Sequence, residues 1–335
     1  VIIESGDLAA RARGLSSRLL DLAAVLDLAR AADVKALCAA LPAALRPSAG
    51  ETPADIERAV RGEAGRQLAL LARWAGRRRH ALAVIFEEED LRSVRALLRG
   101  AAGAVPPDRR LAGLVPTPSL PEPALVDAAE AESPRAALAR LAAWGRTDAE
   151  AAVPAATGVA PDLFGIESRL AQGFARRAVE AARRGGRRLR AAAAQVVDLE
   201  NAWSVILADG FASEVPPGEI FLEGGRALER ERFLGAAGAR DPLVRRRLLA
   251  EAFAGGPLAA PFSDPATPWT RLEAAVLRAR IDEQRRARRI DPLGPAPLLE
   301  FALRLRAQVR DLQAVTWGVA LAAPTDLVAA ELAGA

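Results

Sequence analysis

The chain contains no tyrosine and no methionine, and among its 335 residues there is one lysine (Lys35), one histidine (His80) and one cysteine (Cys38). Each scarcity removes a class of chemistry. A single histidine excludes multi-histidine metal sites and leaves any Ser–His or Cys–His catalytic pairing resting on one residue. That residue follows Arg77, Arg78 and Arg79, the setting of a surface side chain. Cys38 has no partner for an internal disulfide, and its neighbours Leu37 and Ala39 mark it as a small buried hydrophobe. Lys35 sits in no glycine-rich segment and no Gly-x-x-x-x-Gly-Lys-Ser/Thr string occurs, so a P-loop nucleotide site is excluded. Glu87, Glu88, Glu89 and Asp90 are consecutive, and consecutive residues point in different directions around a helix, unlike a paired acid and base. No catalytic, metal or cofactor site is expected.

Long uncharged apolar runs are missing as well, since no stretch approaches the roughly 18 residues that a membrane-spanning helix needs. Val1 to Ile3 is too short for the apolar core of a signal peptide, and a chain beginning with valine is expected to have its translation start elsewhere. A soluble, cytoplasmic protein is the expectation. Aromatic residues are only 4% of the chain. Alanine, leucine and arginine dominate while β-branched residues are sparse, so intrinsic preference points to helix almost throughout. The expected fold class is all-α.

Positive charge is carried almost wholly by arginine. The formal net charge is only +4, yet the isoelectric point is about 10.5, because guanidinium keeps its proton at any physiological pH. The charge is local: Arg176, Arg177, Arg183, Arg184, Arg187, Arg188 and Arg190 crowd one segment, and Arg285, Arg286, Arg288 and Arg289 another. Such clusters suit phosphate, acidic lipid or an acidic protein face, or are simply solvated helix. Nucleic-acid binding is the rival from a different class, but no aromatic residue interleaves with the Arg183–Arg190 run to stack on bases. A generic helical scaffold fits the same composition.

Length allows two or three compact units. An apolar stripe starts near Asp7 and runs through Leu8, Leu15, Leu19, Leu22 and Leu26 at helical spacing. Thr52, Ser133, Asp241 and Thr267 each precede a proline, pairing an N-cap acceptor with a residue whose missing N–H is harmless at the first helical position. Pro/Gly-rich breaks fall at Pro47 to Pro53, Gly103 to Pro123, Gly158 to Pro161, Pro216 to Gly225, Gly255 to Pro268 and Asp291 to Pro297. Of these only Leu114 to Pro123, with four prolines, reads as a spacer.

An internal repeat is the most informative feature. The helix Glu89-Asp90-Leu91-Arg92-Ser93-Val94-Arg95-Ala96-Leu97-Leu98 aligns with Val197-Asp198-Leu199-Glu200-Asn201-Ala202-Trp203-Ser204-Val205-Ile206, and more weakly with Ala307-Gln308-Val309-Arg310-Asp311-Leu312-Gln313-Ala314-Val315. Asp90, Asp198 and Gln308 are then equivalent, 108 and 110 residues apart. Each copy holds a polar pair three residues apart, on one helix face: Asp90 with Ser93, Asp198 with Asn201, Gln308 with Asp311. Recurrence in three copies points to a shared role, in lining a cavity or in holding adjoining units together.

The string Val197-Asp198-Leu199-Glu200-Asn201, then Gly210, then Phe221-Leu222-Glu223-Gly224-Gly225-Arg226 and Arg232-Phe233, resembles the C (or d) subunits of V-type and archaeal-type rotary ATPases. Leu8 to Arg13, Asp90 to Arg99, Ile166 to Leu170 and Asp291 to Gly294 are similar to further segments of that family, in the same order, so the resemblance spans nearly the whole chain. Ser93 stands where the family usually has asparagine. The resemblance implies a funnel-shaped socket of three similar helical units around a pseudo-threefold axis, taken as residues 7–110, 111–220 and 221–335. It implies a non-catalytic rotor subunit, peripheral to the membrane, that joins central-stalk subunits D and F to the proteolipid (c/L) ring and carries torque during ion transport. Neither a cofactor nor a nucleic acid is expected as a partner. Asp90, Asp198, Asn201 and Asp311 are the candidate contacts from the repeat, and Arg184, Arg187 and Arg188 those from local charge.

Overall fold

A computed structural model of the chain describes residues 3–78, 80–156, 162–207, 216–264 and 267–334, without the side chains of residues 3–5, 77, 81, 269 and 270. The break at Gly158 to Pro161 and the residue Gly210 lie outside the described residues. Every regular element among the described residues is helical. Helices α1 (Ile3–Ser16), α2 (Leu22–Leu28) and α3 (Val34–Ala40) precede the long α4 (Pro53–Ala75) and α5 (His80–Ala102). Short helices α6 (Pro107–Arg110), α7 (Glu122–Ala129), α8 (Pro134–Ala143) and α9 (Thr147–Ala152) lead to the long α10 (Leu163–Arg183) and α11 (Gly186–Leu207). A second short set, α12 (Pro217–Ile220), α13 (Arg230–Gly238), α14 (Pro242–Ala252) and α15 (Ala259–Ser263), leads to the long α16 (Trp269–Ile290) and α17 (Ala296–Ala320), and α18 (Thr325–Glu331) follows. No described helix is long and apolar enough to cross a membrane.

The helices gather into two compact units: Val1–Gly76 with Leu111–Glu122 and Pro268–Ala335, and Arg77–Arg110 with Pro123–Thr267. These bounds do not coincide with 7–110, 111–220 and 221–335. In the first unit α17 is the hub, packed by α1, α2, α3, α4, α16 and α18. Its Leu298, Phe301, Leu305, Ala307, Leu312 and Val315 are all buried, as befits a helix covered by neighbours on most of its sides. In the second unit α10 lies against α5 and α11. Ala171, Ala175, Ala178 and Ala182 recur at helical spacing on its buried side and let neighbours approach closely around the fully buried Phe174. Cys38 is buried, as its neighbours suggested, and His80 is partly exposed at the start of α5.

Three of the four Xaa-Pro helix starts form as read. Thr52 Oγ1 accepts from the Asp55 N–H at 3.3 Å while Asp55 Oδ2 accepts from the Thr52 N–H at 3.1 Å, a reciprocal capping box. Ser133 Oγ accepts from Ala136 N–H at 3.2 Å, and Asp241 Oδ1 from Leu243 N–H at 2.8 Å. The fourth is shifted: α16 begins at Trp269, Pro268 takes the cap position, and the Thr267 hydroxyl donates to Asp264 Oδ2 at 2.5 Å instead. The stripe from Asp7 to Leu26 is two helices, not one. Asp21 caps α2 by accepting from Ala24 N–H at 2.9 Å, which stops α1 from continuing, and Leu22 is left 40% exposed. Leu114 to Pro123 is not a spacer either. Leu114, Val115, Thr117 and Leu120 are buried, and Thr117 and Leu120 exchange backbone hydrogen bonds at 3.1 and 3.2 Å.

Candidate partner-binding elements

The repeated polar positions sit on α5, α11 and α17, and all point into the fold: Asp90, Asp198, Asn201 and Asp311 are each at most 3% exposed. On α11, Asp198 accepts from three successive backbone N–H groups, Arg226 at 2.9 Å to both oxygens, and Ala227 and Leu228 at 3.0 Å. Asn201, one turn along, closes a two-way bond with Leu222, donating to its carbonyl at 2.9 Å and accepting from its N–H at 2.8 Å. The backbone must come this close for the bonds to form. A Cβ added at Gly225 would lie 2.1 Å from Asp198 Oδ1, and Gly224 has φ +111°, which is why two glycines stand there. The acidic-x-x-Asn helix and the Gly-Gly-Arg turn, separate as strings, are thus one object: a helix clamped to the loop that follows it.

On α17 the position aligned with Asn201 repeats the arrangement, and the one aligned with Asp198 turns to an upstream segment instead. Gln308 Oε1 accepts from Leu20 N–H at 2.8 Å. Asp311 accepts from the N–H groups of Ala333 at 2.6 Å and Gly334 at 3.2 Å. Asn201 reaches 21 residues downstream and Asp311 reaches 22, so these two aligned positions each hold backbone that follows their own helix. Arg278 and Arg310 fasten the same segment by its carbonyls, Leu332, Ala333 and Glu331. Burial pushes the Asp311 carboxyl above the ordinary aspartate value, and the two N–H bonds and the nearby Arg310 offset this only in part.

The copy on α5 differs. Asp90 meets a side chain, Arg146, at 2.7 Å, and the Ser93 hydroxyl has no hydrogen bond among the described residues. Arg146 also grips Asp148 at 3.0 Å, and Arg177 bridges Asp148 at 3.0 Å and Glu87 at 2.8 Å. Burial alone would raise Asp148, but the charges and hydrogen bonds of Arg146 and Arg177 outweigh it and hold the carboxyl below its ordinary value. The same unit ties α5 to α10 and α11 through Arg99 with Glu167 at 2.5 Å, and through Arg95 with Glu200. The pairs Asp90–Arg146 and Arg95–Glu200 are 56 and 105 residues apart, so spacing does not reveal them.

Arg184 and Arg187 lie at the turn between α10 and α11 and are exposed, and Arg188 is partly exposed. The turn is built by glycine. Gly186 has φ +75°, and a Cβ on Gly185 would lie 2.2 Å from Leu189 Cδ1. Arg183 pairs with Glu180 at 2.7 Å on the surface, a contact of small worth, while Arg184 and Arg187 carry no ion pair among the described residues. The candidate contacts thus divide: four residues act on the chain itself, and Arg184 and Arg187 present charge outward, with the partly exposed Arg188 beside them. No group of three or more metal-ligating side chains occurs among the described residues.

Among protein families, the one described as the ATP synthase (C/AC39) subunit matches the chain over residues 8–331. No curated protein matches it.

Proposed function

Because the chain belongs to the ATP synthase (C/AC39) subunit family, we propose that it is the non-catalytic rotor subunit that couples the central stalk of a V/A-type ATPase to its proteolipid ring. The D and F proteins of the stalk would bind one side and the cytoplasmic loops of the ring the other, so that the chain turns with both and transmits torque. Three related units, residues 7–110, 111–220 and 221–335, belong to this proposal as a relationship of sequence.

The observation that carries the reading is the clamp made by Asp198 and Asn201 on residues 222–228 and recurring at Asp311 on residues 333–334. A coupling element must pass force from its loops into its long helices without the loops yielding. Buried carboxylate and amide groups that bond directly to loop backbone supply that stiffness, since opening such a loop leaves buried polar groups unpaired. In this reading Asp198, Asn201 and Asp311 serve partner binding by fixing the loops and Asp90 by holding Arg146, and Arg184, Arg187 and Arg188 meet acidic groups of the ring by bidentate bonds.

Bridging is testable with purified parts. The D–F pair is expected to stay on an immobilised, detergent-solubilised ring only when this chain is added. Retention of D–F without it, or salt-dependent capture of the chain on DNA with no affinity for the ring, would sink the proposal.

A further inference from the structure

The turn joining α16 to α17 sorts its arginines onto two faces. Arg285 and Arg288 lean inward on the buried carboxylate of Glu300, at 3.7 and 3.2 Å, and Arg285 also reaches Asp282 at 3.4 Å. Arg286 and Arg289, each one residue further on, are exposed and pair with no carboxylate among the described residues. Ile290 follows on the same face and is 84% exposed, the highest value for a large hydrophobic residue among the described residues; Leu293, in the turn, is 42% exposed. Asp291, the nearest acidic residue in sequence, is turned back over Gly294, where an added Cβ would lie 2.1 Å from its Oδ2.

An exposed isoleucine alone is ordinary. Beside two unpaired guanidinium groups on one face it has a more specific chemistry, because guanidinium binds phosphate oxygens in pairs while an aliphatic tip gains by leaving water. The other end of α17 makes the contrast. Leu321 and Leu327 are 74% and 55% exposed there, yet no lysine or arginine lies between Asp311 and Ala335. The arginines that reach that end, Arg271, Arg278 and Arg310, are engaged with Glu331, Leu332 and Ala333, whereas at the α16–α17 turn exposed apolar tips stand beside arginines that pair with no carboxylate among the described residues.

We propose that the α16–α17 turn docks on an anionic bilayer surface, with Arg286 and Arg289 on headgroup phosphates and Ile290 and Leu293 at the acyl boundary. The proposal rests on the rotor reading only for bringing a bilayer within reach. Binding to vesicles needs no other subunit, so its failure leaves the bridging test untouched.

The full chain would be floated with vesicles of phosphatidylcholine alone and of phosphatidylcholine mixed with phosphatidylglycerol, at low salt. Binding is expected only to the anionic vesicles. The Arg286→Gln/Arg289→Gln pair should lose roughly 30-fold in partition, at about fivefold per arginine near a charged surface, whereas Arg286→Lys/Arg289→Lys should keep most of it. Ile290→Ser should lose roughly tenfold with an unchanged salt dependence. Equal binding to neutral vesicles, full binding by the Gln pair, or displacement by free glycerol phosphate would overturn the proposal. So would a Gln pair that loses affinity for the isolated ring while its vesicle binding is unaltered, since the turn would then be a protein contact.

Discussion

Replacing Asp198 by asparagine changes one atom in a buried side chain and isolates what the clamp on α11 contributes. Asp198 is 3% exposed and accepts from the N–H groups of Arg226, Ala227 and Leu228 at 2.9 to 3.0 Å. Asparagine keeps one acceptor oxygen and turns an NH2 group toward donors that it cannot satisfy. One N–H is then left unpaired, at about 1–3 kcal/mol, and the remaining bonds lose charge assistance, at roughly 1 kcal/mol each. Allowing for relaxation of the loop, about 2–4 kcal/mol of local stability should disappear. Hydrogen exchange reads this directly, because opening of residues 226–228 sets their exchange rate. Their protection should fall roughly 30- to 1000-fold, with the interior of α11 less affected. Protection altered by less than about threefold would refute the clamp as the element that fixes this loop.

Further substitutions probe the other elements. Gly225→Ala places a methyl group 2.1 Å from Asp198 Oδ1, so it should destabilise the same loop by at least about 1–3 kcal/mol and add little in the Asp198→Ala background, where the clashing oxygen is gone. Asp148 has a folded-state pKa below its ordinary 3.8, so its contribution is complete above that value and is lost as pH falls through the lower folded one. Acid unfolding of Asp148→Asn should therefore be flatter in that range than that of the parent chain. Glu57 is held above its ordinary 4.5 by burial, although Trp317 donates to it at 2.8 Å. Its ionisation thus lowers stability as pH rises from 4.5 through the raised value, and Glu57→Gln should remove that decline and keep the tryptophan bond, as seen in urea melts followed by fluorescence. Gly186→Ala forces a side chain onto φ +75° and should cost about 1–2 kcal/mol, measured by the same melts.

Much of the fold is legible because its signals are local. Scarce β-branched and aromatic residues give an all-helical chain, and Thr52, Ser133 and Asp241 mark helix starts through bonds that span two or three residues. Thr267 misleads because Asp264 competes for its hydroxyl. The repeat singles out Asp90, Asp198, Asn201, Gln308 and Asp311, all of them buried, but sequence does not say whether a polar stripe faces solvent, a partner or the chain's own backbone. That is decided by loops 20 or more residues away, at Leu222, Arg226 and Ala333. Arg146 illustrates the limit: its partner Asp90 lies 56 residues earlier, and nothing in either neighbourhood announces the pair. The two glycines at 224 and 225 are visible as a motif, and only the approach of Asp198 explains them.

Cross-linking the chain within a working complex tests the rotor assignment most directly. Cys38 is buried and is the one cysteine in the sequence, so a cysteine introduced for an exposed residue such as Arg190 can be joined selectively to one introduced in the ring or in the D protein of the stalk. A rotor coupling predicts that ATP-driven ion pumping survives a covalent bond to either and stops when the same position is bonded to a stationary subunit of the catalytic head. Pumping that stops on bonding to both the ring and the D protein, or that survives bonding to the head, would contradict it.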